Sequence, residues 1–123
     1  MENSGDPEAL TRLLHGTAEE RAAALGAAAR SGVAEAQALF GQVLLDGNGI
    51  AADRAKAACW FGRAAAQGHA MGINMLGRCH ELGWGMAVNK AEAARLYRVA
   101  AGLGLHWAMY NYATLLTLGE GVA

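Results

Sequence analysis

The sequence predicts an all-α fold of repeated helix pairs, about seven helices in a single helical-repeat domain over residues 1–123. Three observations predict it. Glycines recur at one step: Gly32, Gly68 and Gly104 stand 36 residues apart, as do Gly41 and Gly77, Gly47, Gly83 and Gly119, and Gly49, Gly85 and Gly121. Paired alanines follow the same step, Ala64–Ala65 against Ala100–Ala101, with Phe61 and Tyr97 just before them. Between these marks the apolar residues fall at helical spacing, as Met71, Met75, Leu76, Cys79 and Leu82 do.

The elements follow in order. Residues 7–30 form a degenerate N-terminal pair. A shortened first helix over 7–15 opens with Asp6-Pro7-Glu8, which supplies a cap, a proline at the first helical position and an acid near the positive helix end. A second helix over 17–30 starts at Thr17, with Glu20 placed for reciprocal capping. Repeat one covers 31–66, with helices over Val33–Asp46 and Arg54–Ala66. Repeat two covers 67–102, with helices over His69–Leu82 and Lys90–Gly102. Asp53 and Asn89 stand as N-caps, because their side-chain oxygens accept a free backbone N–H. A partial repeat three, 103–123, offers a helix over Leu105–Leu118 and stops after its Gly-x-Gly turn.

The turn "LDGNGI" has three possible readings. A phosphate loop needs a strand before it and a third glycine after it, but a helix precedes this one and Ala52 or Val88 fills the third position. A calcium loop needs acids at fixed offsets and a closing Glu, and its sister "LGWGM" has no acid at all. A structural turn needs only glycine. Gly47 and Gly83 end a helix in the left-handed conformation, Gly49 and Gly85 let the chain reverse, and Ile50, Met86 and Val122 tuck between helices. Gly41 and Gly77 lie inside helices, where Gly costs about 1 kcal/mol against Ala. A neighbour needing the space explains them. Ala64, Ala65, Ala100 and Ala101 complete the close-packing surface.

These residues carry a family pattern. The chain resembles the Sel-one-like repeat (SLR) family, relatives of the tetratricopeptide repeats. The first unit matches it at Ala36, Gly41, Gly47, Gly49, Asp53, Lys56, Ala57, Trp60, Phe61, Ala64, Ala65 and Gly68. The second matches at Leu76, Gly77, Gly83, Gly85, Ala93, Tyr97, Ala100, Ala101 and Gly104. Departures include Phe40, Leu44 and Ile50, then Gly72, His80, Met86, Asn89, Glu92 and Leu96. The resemblance implies an α-solenoid of antiparallel helix pairs, a superhelix whose first helices line a concave face, and a role as adaptor or scaffold in protein assemblies.

On that implication, the groove positions between the pattern residues are Gln42, Asn74, Arg78, Glu81, Trp107, Tyr110, Asn111 and Thr114. Asn74 and Asn111 stand 37 apart, one out of register, so a repeated amide clamp is not expected. The expectation is a mixed polar and aromatic groove that takes an extended peptide. A solvated face that binds nothing specific competes with it. Cys79-His80-Glu81 invites a metal or nucleophile reading, with His69 and His106 near. Adjacent helical residues diverge, however, and no ligand spacing such as CxxC or HExxH is present. No catalytic residue, metal or cofactor is therefore expected, and His80 reads as a packed ring. The competing function is an enzyme or enzyme regulator in cell-envelope metabolism.

Bulk numbers narrow the partners. The chain is 54% hydrophobic and 17% charged, with a formal charge of -1. It can bury a core, and it lacks the basic excess of a general nucleic-acid binder or an anionic-membrane binder. No leader and no spanning segment are expected. Two cysteines suit small buried residues in a reducing compartment. The cytoplasm is expected, or the periplasm if a leader has been removed. Leu115, Leu116 and Leu118 have no following helix in sequence to cover them. A homodimer through that uncapped end is accordingly expected, beside a protein or peptide partner.

Overall fold

A computed structural model describes residues 7–122. The helices are α1 (Pro7–His15), α2 (Ala18–Arg30), α3 (Ala34–Asp46), α4 (Arg54–Ala66), α5 (Ala70–Leu82), α6 (Lys90–Gly102) and α7 (His106–Leu118). Each helix packs on the next in the chain, and α3 also meets α5, so first helices neighbour first helices. This is the α-solenoid, and no strand occurs among the described residues.

Local chemistry sets the helix starts. Thr17 and Glu20 form the reciprocal capping box, with Glu20 N–H donating to Thr17 Oγ1 and Thr17 N–H to Glu20 Oε1. Asp53 and Asn89 accept from Lys56 N–H and Glu92 N–H. His69 caps α5 by accepting from Gly72 N–H at Nδ1. Asp6 lies outside the described residues.

The ends repeat as well. Gly47 and Gly83 turn left-handed at φ 71° and 73°, donating to the Val43 and Cys79 carbonyls. The loop then returns to its own first helix, with Asp53 N–H donating to Leu44 O and Asn89 N–H to His80 O. The second glycine has a further cause. A Cβ on Gly49 would stand 2.2 Å from Ala18 O, and one on Gly85 2.5 Å from Arg54 O. Each loop thus presses on the first residue of the preceding unit's second helix, and only glycine leaves room.

The core sits between first and second helices. Phe61 and Tyr97 are fully buried, as are Ala57, Ala64, Ala93 and Ala100. Phe61 rests against Gly41 and Tyr97 against Gly77; added Cβ atoms would stand 2.6 and 2.7 Å from the rings. Gly72 receives the Ala64 methyl in the same way at the junction of the two repeats. Ala65 and Ala101 are only half-buried.

Two packing expectations are corrected. Ile50 does not tuck between helices but stays 38% exposed, whereas Met86 and Val122 do pack against core clusters. Leu115 is not left uncovered: it is buried with Ala93, Ala94 and Tyr97. Leu116 and Leu118 remain exposed.

Candidate functional site

The eight expected groove residues fall into three groups. Asn74 and Asn111 turn toward each other. Asn111 Nδ2 donates to Asn74 Oδ1 at 3.0 Å, and Asn74 is only 2% exposed. Asn74 therefore ties α5 to α7 below the surface instead of facing a ligand there.

The second group is engaged locally. Gln42 Nε2 donates to the Asp46 carboxylate one turn along α3. Thr114 Oγ1 donates back to the Tyr110 carbonyl. Glu81 accepts from the Tyr97 hydroxyl at 2.5 Å. Burial and the adjoining Glu81 carboxylate hold the Tyr97 hydroxyl well above the usual phenol range. Arg78 is half-buried with its guanidinium 5.2 Å from the Trp84 ring centre, and Arg54 lies 5.9 Å from the same ring. Trp84 was missed in the sequence; its signal was an aromatic held between two turn glycines.

The third group is open. Trp107 and Tyr110 stand one turn apart on α7, 66% and 69% exposed. With half-buried Asn111 beside them, they form an aromatic surface with a polar edge.

Cys79, His80 and Glu81 diverge as helical geometry requires. Cys79 is buried in the core and its thiol is pushed up to about 11 by desolvation, the reverse of what a nucleophilic thiolate needs. His80 is half-buried, and its Nδ1 is a buried atom without a hydrogen-bond partner among the described residues. Among those residues no group of three or more His, Cys, Asp or Glu is placed to hold a metal ion. No described helix is long and apolar enough to cross a membrane.

A cleft of about 400 Å³ also opens between α2 and α4, floored by α3, and no single stretch of sequence announces it. Its aromatic part is Phe40 set edge-on to Trp60, ring centres 5.6 Å apart.

Stacked hairpins, glycine-relieved aromatic contacts and an exposed first-helix surface define a helical-repeat protein. No family model matches the chain, and no curated protein matches it by sequence. Solved structures do. A Sel1 repeat protein from Oxalobacter formigenes is 30% identical, with a TM-score of 0.78 over 87% of this chain and 84% of that one. A protective antigen of uropathogenic Escherichia coli that displays an SLR fold is 26% identical, with a TM-score of 0.86 over 94% of this chain. This chain spans only 26% of that antigen's length. Cysteine-rich protein B of Helicobacter pylori, 20% identical, shares the fold with a TM-score of 0.72 over 82% of this chain and 77% of that one. The chain belongs to the Sel1-like repeat family.

Proposed function

We propose that the protein is a non-catalytic adaptor or scaffold that binds a protein or peptide partner on its concave face, along α5 and α7. The observation that supports this is the open pair Trp107 and Tyr110. Aromatic residues give binding energy out of proportion to their number, because they bury large rigid area at little entropic cost. Exposed apolar surface of this kind is otherwise a liability. Arg78 and Asn111 supply the polar edge that fixes the register of a bound backbone.

The test is a peptide-display selection on the intact protein, followed by titration of the best peptide. Trp107→Ala with Tyr110→Ala, both at exposed sites, is expected to weaken it at least about tenfold while leaving the unfolding midpoint unchanged. Undiminished affinity refutes this face. A second copy of the chain is the other proposed occupant, through the end of α7 where Leu116 and Leu118 are exposed. Light scattering that shows only monomer at high concentration removes that occupant.

A further inference from the structure

The cleft between α2 and α4 lies away from the α7 surface and has its own chemistry. Lys56, Cys59, Trp60 and Arg63 form one stripe on α4, at the i, i+3, i+4, i+7 spacing of a single helix face. Arg30 reaches in from the end of α2, and Phe40 of α3 makes the floor. The lining contains three cations and no carboxylate. None of the three cations has an acidic partner within 4.0 Å among the described residues. In a chain of net charge -1, three unneutralised cations around one cleft are a local excess.

The spacing distinguishes possible ligands. Lys56 and Arg63 are seven residues apart on α4, which is about 10 Å along the axis. A small anion cannot span that distance. A peptide in the polyproline II conformation advances about 3.1 Å per residue with three residues per turn, so acids three residues apart span that distance and lie on the same side of the chain. Trp60 lies between the two cations, with the Arg63 guanidinium already over its ring at 4.5 Å. That stacking preorients one cation, and Trp60, half-buried, is set edge-on to the buried Phe40 ring.

We propose that this cleft binds an acidic peptide segment of a partner protein in the polyproline II conformation, with two carboxylates three residues apart and a bulky apolar residue between them. The carboxylates pair with Lys56 and Arg63, Arg30 adds field from the opposite wall, and the apolar residue lies against Trp60. This second binding face is independent of the one on α7.

Cys59 supplies the readout, since it is an exposed thiol on the stripe while Cys79 is buried. The probe is the blocked hexapeptide Gly-Glu-Phe-Gly-Glu-Gly, with Gln for both Glu as control. Saturating probe is expected to slow iodoacetamide alkylation of Cys59 severalfold, and calorimetry gives its Kd. The Gln control does not protect. Lys56→Glu with Arg63→Glu, two exposed positions checked by circular dichroism, weakens binding at least about tenfold. Trp107→Ala with Tyr110→Ala leaves it unchanged, which keeps the two faces separable. Three results each overturn the proposal: no protection by the probe at millimolar concentration, equal binding by the charge-reversed protein, or protection by free glutamate or phosphate as strong as by the peptide.

Discussion

Asn111 of α7 donates to Asn74 of α5 at 3.0 Å, joining two first helices that are not consecutive in the chain. Asn74 is almost fully buried, so this is an internal tie between neighbouring repeats. A buried amide deprived of its partner keeps the cost of desolvation. Asn111→Ala, which leaves buried Asn74 without its donor, is expected to lower unfolding free energy by about 1–3 kcal/mol, and a double-mutant cycle with Asn74→Ala to return a coupling of about 1 kcal/mol. Urea denaturation measures both. Additive single effects would mean that the bond contributes nothing.

The helical glycines predict opposite signs at two positions. Gly77 faces the Tyr97 ring, 2.7 Å from where a Cβ would stand, and that ring is fully buried. Gly77→Ala should destabilise by about 1–3 kcal/mol, because overpacking outweighs the gain in helix propensity. Gly62, inside α4, has nothing within 4 Å of its added Cβ. Gly62→Ala should therefore stabilise by about 0.5–1 kcal/mol. Thermal melts of the two variants moving in the same direction would contradict the packing described.

Almost all of the fold was legible because the repeat makes packing periodic. A step that returns Gly41 with Phe61 and Gly77 with Tyr97 already contains the contact between them. The caps at Thr17, Asp53 and Asn89 were readable for the same reason: their partners lie three residues away. What the sequence hid was of another kind. Gly49 and Gly85 looked like turn residues, but the contact that demands them is with the previous unit, about 31 residues earlier in each case (Ala18 and Arg54). Asn74 read as a groove residue because its slot lies between pattern positions, and burial by α7 is a tertiary fact. The Lys56–Trp60–Arg63 stripe was visible as spacing, but its significance depends on Arg30 approaching from another helix.

That interunit contact predicts a large penalty. A Cβ on Gly85 meets Arg54 O at 2.5 Å and Ala55 Cα at 2.8 Å, and the residue has φ 75°. The obstacle is backbone, which cannot rotate aside. Gly85→Ala is expected to cost upwards of about 2 kcal/mol, combining left-handed strain with a displaced loop. Gly68→Ala is the control, with φ 78° but no atom within 4 Å, so it carries the conformational term alone. The difference between the two by urea denaturation isolates the contact, and equal losses would show that the loop does not press on α4.

Alkaline pH tests the buried core from its chemistry. Desolvation raises the Cys79 thiol from 9.0 to about 11, and it raises the Tyr97 hydroxyl above its ordinary 10.0 with Glu81 adding to the effect. Both groups are neutral when protonated, so the folded state holds these protons more tightly than the unfolded chain does. The stability they lend is therefore full below the unfolded values and ebbs as pH rises through the folded ones. For Cys79 the window is pH 9.0 to about 11; for Tyr97 it begins near 10.0 and continues upward. Melting temperature should hold steady near neutrality and fall across that window. Cys79→Ala should flatten the first part of the fall. Tyr97→Phe should flatten the later part, at a fixed cost for the lost hydrogen bond to Glu81. A wild-type profile that stays level to about pH 11 would mean that neither proton is held by the fold.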